Sequence, residues 1–387
     1  MTKARVLGAV ASMLLLATAS TGCGGEGKSS SGSIIKIALE APLTGDQASN
    51  GVDIFDGAKL AVDEANGAGG VLGKKIELVR ADDRADPAAG VQVARQMVSD
   101  GVFAVIGPYN SSVGVQNLKI YVGAGVVAIH LTSDSETNGL GYTIQPKDYQ
   151  IAPVEAKAIT GFFKARKVGI LYDPQTYTAG IAAQVKTELE QDGATVVAYE
   201  EAKPGGDTYT DVLGKVADTH PDLLYVSTYF PQGGVIARDL LRDDKPPSIC
   251  LMGLANQDPG FVETAGLEAA QRCSFSGVPS AENFPQAKTY VADYRAKFGK
   301  DPGTWGTFSY DSVNLLFDAV KRAGSWDKGT VRAKLTGTTA FKGITGSIAI
   351  DKATGNRVDL PVVILTLGAD GKFIVDPEWA SFSGFGT

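Results

Sequence analysis

Histidine and cysteine are scarce in this sequence, whose 387 residues include two of the former and three of the latter. Neither a histidine-rich zinc site nor a four-cysteine cluster can be assembled, and we expect neither a metal nor a cofactor. Basic residues are outnumbered, with 36 Lys and Arg against 43 Asp and Glu. Because nucleic-acid binding needs clustered Lys and Arg, and the sequence has no such run, we expect no nucleic-acid partner.

The residues that are present have the balance of a folded globular chain. Apolar residues make up 44% and charged residues 20%, together with 47 Gly and 17 Pro. A disordered chain has fewer apolar residues than this. At roughly 150 residues per domain, the length favours two domains or one long one.

The first residues have the pattern of an export signal. Lys3 and Arg5 precede an apolar stretch over residues 6–19, which is too short to be a stop-transfer helix. We therefore predict a signal peptide over residues 1–22. Export also implies an oxidising surrounding for the mature chain.

The end of this signal resembles the lipobox of bacterial lipoproteins. Ser20-Thr21-Gly22 precedes Cys23, although that family prefers leucine where Ser20 stands. The resemblance implies that Cys23 becomes the new N-terminus and carries a lipid. The alternative is a secreted protein cut nearby, which would leave Cys23 as a free thiol.

Residues 23–33 are predicted to form a flexible tether, because the glycines and serines there have nothing to bury. Residues 22–29, GCGGEGKS, match a phosphate-binding loop letter for letter. That loop needs a strand before it and a helix after it, whereas here a signal precedes it and serines follow. We reject a nucleotide site.

From residue 34 onward the chain alternates apolar strands with helical patterns, and the cycle restarts near Lys167. This alternation predicts an α/β fold with parallel sheets and helices on both faces. The predicted strands begin at residue 34 and continue over residues 75–81, 103–106, 126–130, 195–200, 222–227, 248–254, 344–350 and 360–374. The predicted helices cover residues 51–66, 87–100, 113–122, 179–191, 209–219, 233–243, 286–298 and 305–324.

Catalytic motifs are missing from the sequence. There is no G-x-S-x-G elbow, and neither His130 nor His220 has a nucleophile at a recognisable spacing. His220 precedes Pro221 at a predicted helix end, where capping is its expected role. We predict that the chain is not an enzyme.

Several loops that follow the predicted strands resemble one family, the type I periplasmic binding proteins, in particular the leucine/isoleucine/valine-binding-like receptors of ABC importers. The resemblance extends over residues 34–376. It rests on PLTG-x5-G (42–51), NGAGGVLGKKIELVRADD (66–83), VIGPYNSS (105–112), D-x-x-x-Y-x-x-G (173–180) and SYDSVNLL (309–316).

The resemblance implies two Rossmann-like α/β lobes with parallel sheets, joined by a three-crossing hinge that closes over a ligand. Residues 34–147 plus 280–335 would form lobe 1, and residues 148–279 plus 336–387 lobe 2. The implied function is the extracytoplasmic solute-binding component of an ABC importer. Its ligand would be a small polar molecule, either an amino acid or an amino-acid-like compound.

The implied partners are an ABC permease and the membrane that holds the lipid anchor, on the outer or periplasmic face of the cell membrane. We expect a monomer. Two alternatives stay open. One is a ligand-sensing module that feeds a membrane receptor and binds an amide, a polyol or an aromatic acid. The other is an enzyme on the same scaffold, which would turn its ligand over.

The resemblance also implies ligand contacts. Relatives hold the ligand's carboxylate at the position of Ser111, with Ser112 beside it, and a helix start favours such an anion. The loop after the next strand would supply Ser133 and Asp134. Two aromatic residues, Tyr177 and Tyr229, would cover the ligand as the lobes close. Asn50 stands where some relatives have an aromatic residue that shields the ligand's side chain.

Two departures leave the ligand open. The family's acidic residue, which pairs with an ammonium group, aligns with Ala255, flanked by Asn256 and Gln257, which we include as candidate contacts. Asp134 replaces a threonine. Either Asp134 binds an ammonium group, or the ligand has no carboxylate, since two adjacent carboxylates repel. Asp134 as a plain helix cap is a third possibility.

Cys250 and Cys273 remain after Cys23 is assigned to the lipid. In an exported protein an even pair of cysteines indicates a disulfide, and two buried free thiols are the alternative.

Overall fold

The computed structural model describes residues 34–244 and 246–385. The predicted signal peptide, tether and lipidated Cys23 lie outside the described residues. Among the residues that are described, no helix is both long and apolar enough to cross a membrane.

The first lobe contains a five-stranded sheet of parallel strands in the order β2-β1-β3-β4-β5. The strands are β1 Ile35–Ala41, β2 Ile76–Asp82, β3 Ala104–Ile106, β4 Val127–His130 and β5 Tyr142–Thr143. The first four confirm predicted strands. The β-branched and aliphatic residues of β3 and β4 are buried because helices cover both faces, whereas Leu78 and Val79 of the edge strand β2 are half-buried. These helices are α1 Ala48–Gly67, α2 Pro87–Ser99 and α3 Ser111–Gly123.

The second lobe contains a seven-stranded sheet in the order β15-β14-β10-β9-β8-β6-β7. Its parallel strands are β6 Lys167–Tyr172, β7 Thr195–Glu201, β8 Leu223–Ser227, β9 Ile249–Met252 and β10 Cys273–Gly277. Two antiparallel strands extend it, β14 Val363–Leu367 and β15 Phe373–Val375. The helices of this part of the chain are α4 Asp148–Lys157, α5 Thr176–Gln191, α6 Thr210–Ala217, α7 Gln232–Leu240, α8 Phe261–Ala265 and α9 Leu267–Gln271.

The single strand predicted over residues 360–374 is two strands in the structure. A tight turn separates β14 from β15, with the Gly368 N–H donating to the Lys372 carbonyl at 2.9 Å. Gly371 has φ 76°, a left-handed conformation that glycine adopts without strain. The turn therefore reverses the chain within what reads as one apolar run.

The last part of the chain crosses between the lobes. The helices α10 Lys288–Phe298, α11 Thr304–Ala323 and α12 Lys328–Thr336 precede a small antiparallel sheet, and α13 Pro377–Ser383 ends the chain. Gly57 of α1 faces Gly306 of α11, so closely that a β-carbon on Gly57 would lie 1.9 Å from the Gly306 carbonyl oxygen. This contact fixes α11 against the first lobe.

The small antiparallel sheet lies on the first lobe's side. It consists of β11 Phe341–Gly343, β12 Gly346–Ile350 and β13 Arg357–Val358. Asp311 of α11 accepts the Thr345 N–H at 2.8 Å, and Asn356 forms a bridge with Thr143 of β5. We assigned residues 336–387 to the second lobe from the sequence. These contacts instead favour a third crossing between β13 and β14, and the lobe boundaries stay a prediction.

Candidate functional site

The carboxyl ends of the central strands of both sheets face one cavity, the interlobe cavity. The loops after β3, β4 and β5 and the start of α11 form one wall, and the loops after β6, β8 and β9 form the other. In open parallel sheets ligands collect at such strand ends. The lining residues are Tyr109, Ser111, Leu131, Ser133, Gln145 and Trp305 from the first lobe and Tyr177, Tyr229, Leu254 and Ala255 from the second.

The interlobe cavity is small and its lining is uncharged. Its free volume is about 10 Å³, roughly the space of one water molecule, so an amino acid fits only after the two walls move apart. A larger hollow lies beside Cys250 and Cys273. That hollow is at the amino ends of β9 and β10, the opposite edge of the sheet, so we place the functional site in the interlobe cavity.

Ser111 presents a hydrogen-bond donor to the interlobe cavity. It is the first residue of α3, where the helix N-terminus carries a partial positive charge. Its Oγ accepts the Asp134 N–H at 3.2 Å, which leaves the hydroxyl hydrogen available. The side chain is buried, so a ligand group that meets it does so away from bulk water. This arrangement suits a carboxylate or another acceptor.

Ser133 lines the interlobe cavity, but its hydroxyl is already engaged. It donates to the Pro146 carbonyl at 2.8 Å and accepts from Gln145 Nε2 at 3.0 Å. Gln145 Nε2 also donates to the Leu131 carbonyl. Gln145 Oε1 is buried and has no hydrogen-bond partner among the residues of the structure. Ser133 therefore orients Gln145, and Gln145 carries the free acceptor.

Four aromatic rings follow one another around the interlobe cavity. The ring centroids of Trp305 and Tyr109 are 5.7 Å apart, those of Tyr109 and Tyr229 6.1 Å, and those of Tyr229 and Tyr177 6.1 Å. Tyr229 is fixed by Asp173, which accepts its backbone N–H at 3.0 Å. The Tyr177 hydroxyl and Trp305 Nε1 are buried without a partner in the described part of the chain. The rings thus supply both apolar surface and unused polar atoms.

Asp134 lies beside the interlobe cavity rather than in its lining. Its Oδ1 accepts the Glu136 N–H at 2.7 Å, so it caps the short 3₁₀ turn Ser135–Thr137. Its Oδ2 is 3.4 Å from the position that a β-carbon on Gly180 of α5 would occupy, so it faces the second lobe. Burial raises the pKa of Asp134 above its usual value, and the nearby Asp148 and Glu136 raise it further.

A buried lysine supports the loop that carries Ser133 and Asp134. Lys147 Nζ donates to Thr137 Oγ1 at 2.7 Å and to the carbonyl of Asp134. Burial lowers the pKa of its ammonium group to about 8, although the nearby carboxylates of Asp148 and Asp134 raise that pKa. The neighbouring Asp148 accepts from Ser135 N at 2.9 Å and from Gln184 of α5 at 3.0 Å. The loop is therefore tied to both lobes.

The other residues that we expected to contact a ligand lie outside the cavity lining. Asn50 is fully buried in α1, and its amide atoms have no partner among the described residues. Ser112 is half-buried on α3. Asn256 donates to the Thr228 carbonyl at 2.9 Å, and Gln257 bonds both ways with the backbone of Val278. These two amides hold the loop after β9 in place.

Six lining residues were not among the predicted contacts: Tyr109, Leu131, Gln145, Leu254, Ala255 and Trp305. Tyr109 lies in the VIGPYNSS motif two residues before Ser111, and its place there is a usable signal. Gln145 follows a two-residue strand, and Trp305 opens a helix that comes from a distant part of the chain. Neither has a local pattern that distinguishes it from a core or turn residue.

The predicted disulfide is confirmed. Cys250 and Cys273 are register partners on the neighbouring strands β9 and β10, with their Cα atoms 4.7 Å apart, and their sulfur atoms are bonded. The bond joins the amino ends of the two strands, so it stabilises the second lobe without contributing to the interlobe cavity.

Comparison with known proteins gives concordant matches. The family model described as periplasmic binding protein matches residues 34–372. The Leu/Ile/Val-binding protein homolog 2 of Brucella abortus (strain 2308) is 30% identical over 356 residues, which cover 88% of this chain and 92% of that protein. The leucine-, isoleucine-, valine-, threonine- and alanine-binding protein of Pseudomonas aeruginosa is 30% identical over 325 residues, which cover 82% of this chain and 86% of that protein.

A solved structure agrees with the sequence matches. The branched-chain amino acid transporter substrate binding protein LivJ from Streptococcus pneumoniae, in complex with isoleucine, superposes with a TM-score of 0.79. It is 26% identical, over 88% of this chain and 98% of that one. The predicted two-lobed α/β fold is therefore confirmed.

Proposed function

This chain belongs to the periplasmic binding protein family, and we propose that it captures an amino acid or an amino-acid-like compound in the interlobe cavity. It is a solute-binding protein of type I. The observation that carries the ligand proposal is the lining itself. Its buried side chains come from both lobes, and three of them, Gln145, Tyr177 and Trp305, leave polar atoms without a partner among the described residues. Buried polar atoms are normally paired, so a ligand is their natural partner.

The lining supports one orientation of an amino acid. The free hydroxyl of Ser111 and the N-terminus of α3 suit the carboxylate. The aromatic rings and Leu254 suit an aliphatic or aromatic side chain. Relatives of this chain are named for binding leucine, isoleucine and valine, and one structure holds isoleucine. Neither Asn256 nor Gln257 takes part in this proposal.

Capture requires no bond chemistry. Relatives in this family are ligand-binding proteins, and the cavity lining contains no carboxylate, histidine or thiol to act as an acid, base or nucleophile. Closure of the lobes then draws on the ligand's greater affinity for the closed state, because a ligand that bound both states equally would shift nothing.

We further propose an ABC permease as the partner, since LivJ is a transporter substrate binding protein and a protein of the same fold from Desulfitobacterium hafniense is an ABC transporter substrate-binding protein. The family acts outside the cytoplasm, and a lipid on Cys23 would hold this chain, as a monomer, at the membrane. Deleting the gene should abolish uptake of the bound solute by cells. Unchanged uptake would favour the sensing alternative.

Isothermal titration with leucine, the ligand suggested by relatives, tests the cavity. The Ser111→Ala variant should bind roughly 10- to 100-fold more weakly, because a hydrogen bond to a charged group contributes about 1.5–3 kcal/mol. Ser112→Ala is the matched control, since Ser112 is adjacent, half-buried and outside the lining. Equal effects of the two substitutions would contradict the proposed site.

A thermal-shift screen against amino acids, amides, polyols and aromatic acids then tests the ligand class. At about 100 times its dissociation constant a true ligand adds about 2.7 kcal/mol of stability. Stabilisation by none of these compounds would contradict the proposed function.

A further inference from the structure

We infer that Gln145 determines specificity in the interlobe cavity by accepting a hydrogen bond from the ammonium group of the bound amino acid. This inference rests on the proposed function and deepens it, because it names the ligand group that the first lobe recognises besides the carboxylate. Gln145 is 2% exposed and lines the cavity.

The hydrogen bonds of Gln145 fix which end of its amide is left unpaired. The Leu131 carbonyl can only accept, so the group that faces it must be the amide nitrogen. The same nitrogen also donates to Ser133 Oγ at 3.0 Å, and the Ser133 hydroxyl in turn donates a hydrogen bond to the Pro146 carbonyl. A flipped amide would bring two oxygens together at Leu131, so the orientation is determined by chemistry.

Gln145 Oε1 is consequently an unpaired hydrogen-bond acceptor. It is buried and has no hydrogen-bond partner in the described part of the chain. A buried carbonyl oxygen left unpaired costs about 1–3 kcal/mol, so the position favours a ligand that brings an N–H or O–H donor. Because the other end of the amide is held by two partners, the acceptor is oriented before the ligand arrives.

Ser111 and Gln145 are both bonded to the loop after β4, at adjacent residues. Ser111 Oγ is bonded to the backbone of Asp134, and Gln145 is bonded to Ser133, the preceding residue. The two groups therefore flank the same two residues of the loop after β4. A carboxylate and an ammonium group on one carbon atom present an acceptor and a donor side by side, whereas a simple carboxylate presents only the acceptor.

No carboxylate in the lining competes for this role. The lining residues are uncharged, and Ala255 offers only a methyl group. Asp134 is at the edge, with Oδ1 already used as a cap. Gln145 Oε1 is thus an acceptor without a partner among the described residues that cannot also donate, unlike the Tyr177 hydroxyl, which can do either.

The test pairs a protein change with a ligand change. Titrations measure the affinity of the wild type and of Gln145→Met for leucine and for 4-methylpentanoate, which is leucine without its amino group. We expect the substitution to weaken leucine binding at least tenfold more than it weakens 4-methylpentanoate binding. Binding of 4-methylpentanoate also verifies that the variant is folded. Gln92→Met, on the exposed face of α2, is the control and should change neither affinity.

A second variant separates hydrogen bonding from loss of structure. Gln145→Glu keeps an acceptor at this position and adds a negative charge, so it should retain the preference for leucine over 4-methylpentanoate. Equal losses for both ligands in Gln145→Met would overturn the inference while leaving the proposed function intact. A wild-type protein that binds no amino acid would overturn both.

Discussion

Glu155→Gln should remove a pH dependence of stability that originates in the second lobe. Glu155 lies on α4 and is fully buried. Its Oε2 accepts the Tyr225 hydroxyl at 2.7 Å. Burial raises the pKa of Glu155 to about 7, and the side chains of Tyr225 and Ser276 only partly offset this. The folded protein therefore holds a proton that the unfolded chain releases near its ordinary pKa of 4.5.

The sign and size of the effect follow from this difference in pKa. Below pH 4.5 both states are protonated and the contribution to stability is complete. As the pH rises through 4.5 to about 7, the unfolded chain ionises first, so the free energy of unfolding falls. A pKa raised from 4.5 to about 7 corresponds to about 3 kcal/mol of stability lost over this range. Above pH 7 the loss is complete and the curve flattens.

The assay is urea unfolding of the wild type and the variant at intervals between pH 4 and 8. The difference in unfolding free energy isolates Glu155, because distant groups such as Asp83, whose pKa burial also raises to about 7, titrate alike in both proteins. The wild type should lose about 3 kcal/mol relative to the variant as the pH rises. Glu77→Gln, on the exposed side of β2, should track the wild type. Parallel curves for wild type and Glu155→Gln would refute the reasoning.

Two further predictions concern packing and closure. Gly57→Ala would place a methyl group against Gly306, so it should lower the stability measured by thermal unfolding by about 1–3 kcal/mol or more. Gly123→Ala is the control and should leave the stability unchanged, because no atom lies within 4 Å of the added methyl group. Equal melting temperatures for the two variants would contradict the packing argument. Ser49 donates to Asp258 at 2.8 Å and so joins α1 to the loop before α8. Its replacement by alanine should expand the particle in small-angle scattering and weaken leucine binding, and unchanged values of both would exclude a role in closure.

Much of the fold follows from local patterns. The apolar runs of β1, β3, β4, β6 and β8 are short, rich in β-branched residues and bounded by turn residues, so each is recognisable without knowledge of its neighbours. Alternation with helices then implies parallel pairing, because a parallel connection needs a crossover. The missed strand β10, CSFSG, has small and polar residues and belongs to the sheet only because neighbouring strands flank it.

The candidate site was predictable only where its residues lie next to strand ends. Ser111, Ser133, Tyr177 and Tyr229 follow predicted strands within a few residues, and all four line the interlobe cavity. Asp134 is also next to a strand end, yet its side chain turns back to cap its own loop. A loop carboxylate has both options, and the choice depends on the surrounding backbone.

The two-lobed α/β design and the loops that meet at its centre can be predicted from local patterns, because strand and helix periodicity is local and the carboxyl ends of parallel strands share one edge. Which side chains face the cavity depends on how distant parts of the chain pack together. Trp305 reaches it from α11 because two glycines allow α1 and α11 to touch, and Gln145 faces it because Leu131 and Ser133 hold its nitrogen. Both depend on contacts between distant residues, which no local pattern contains.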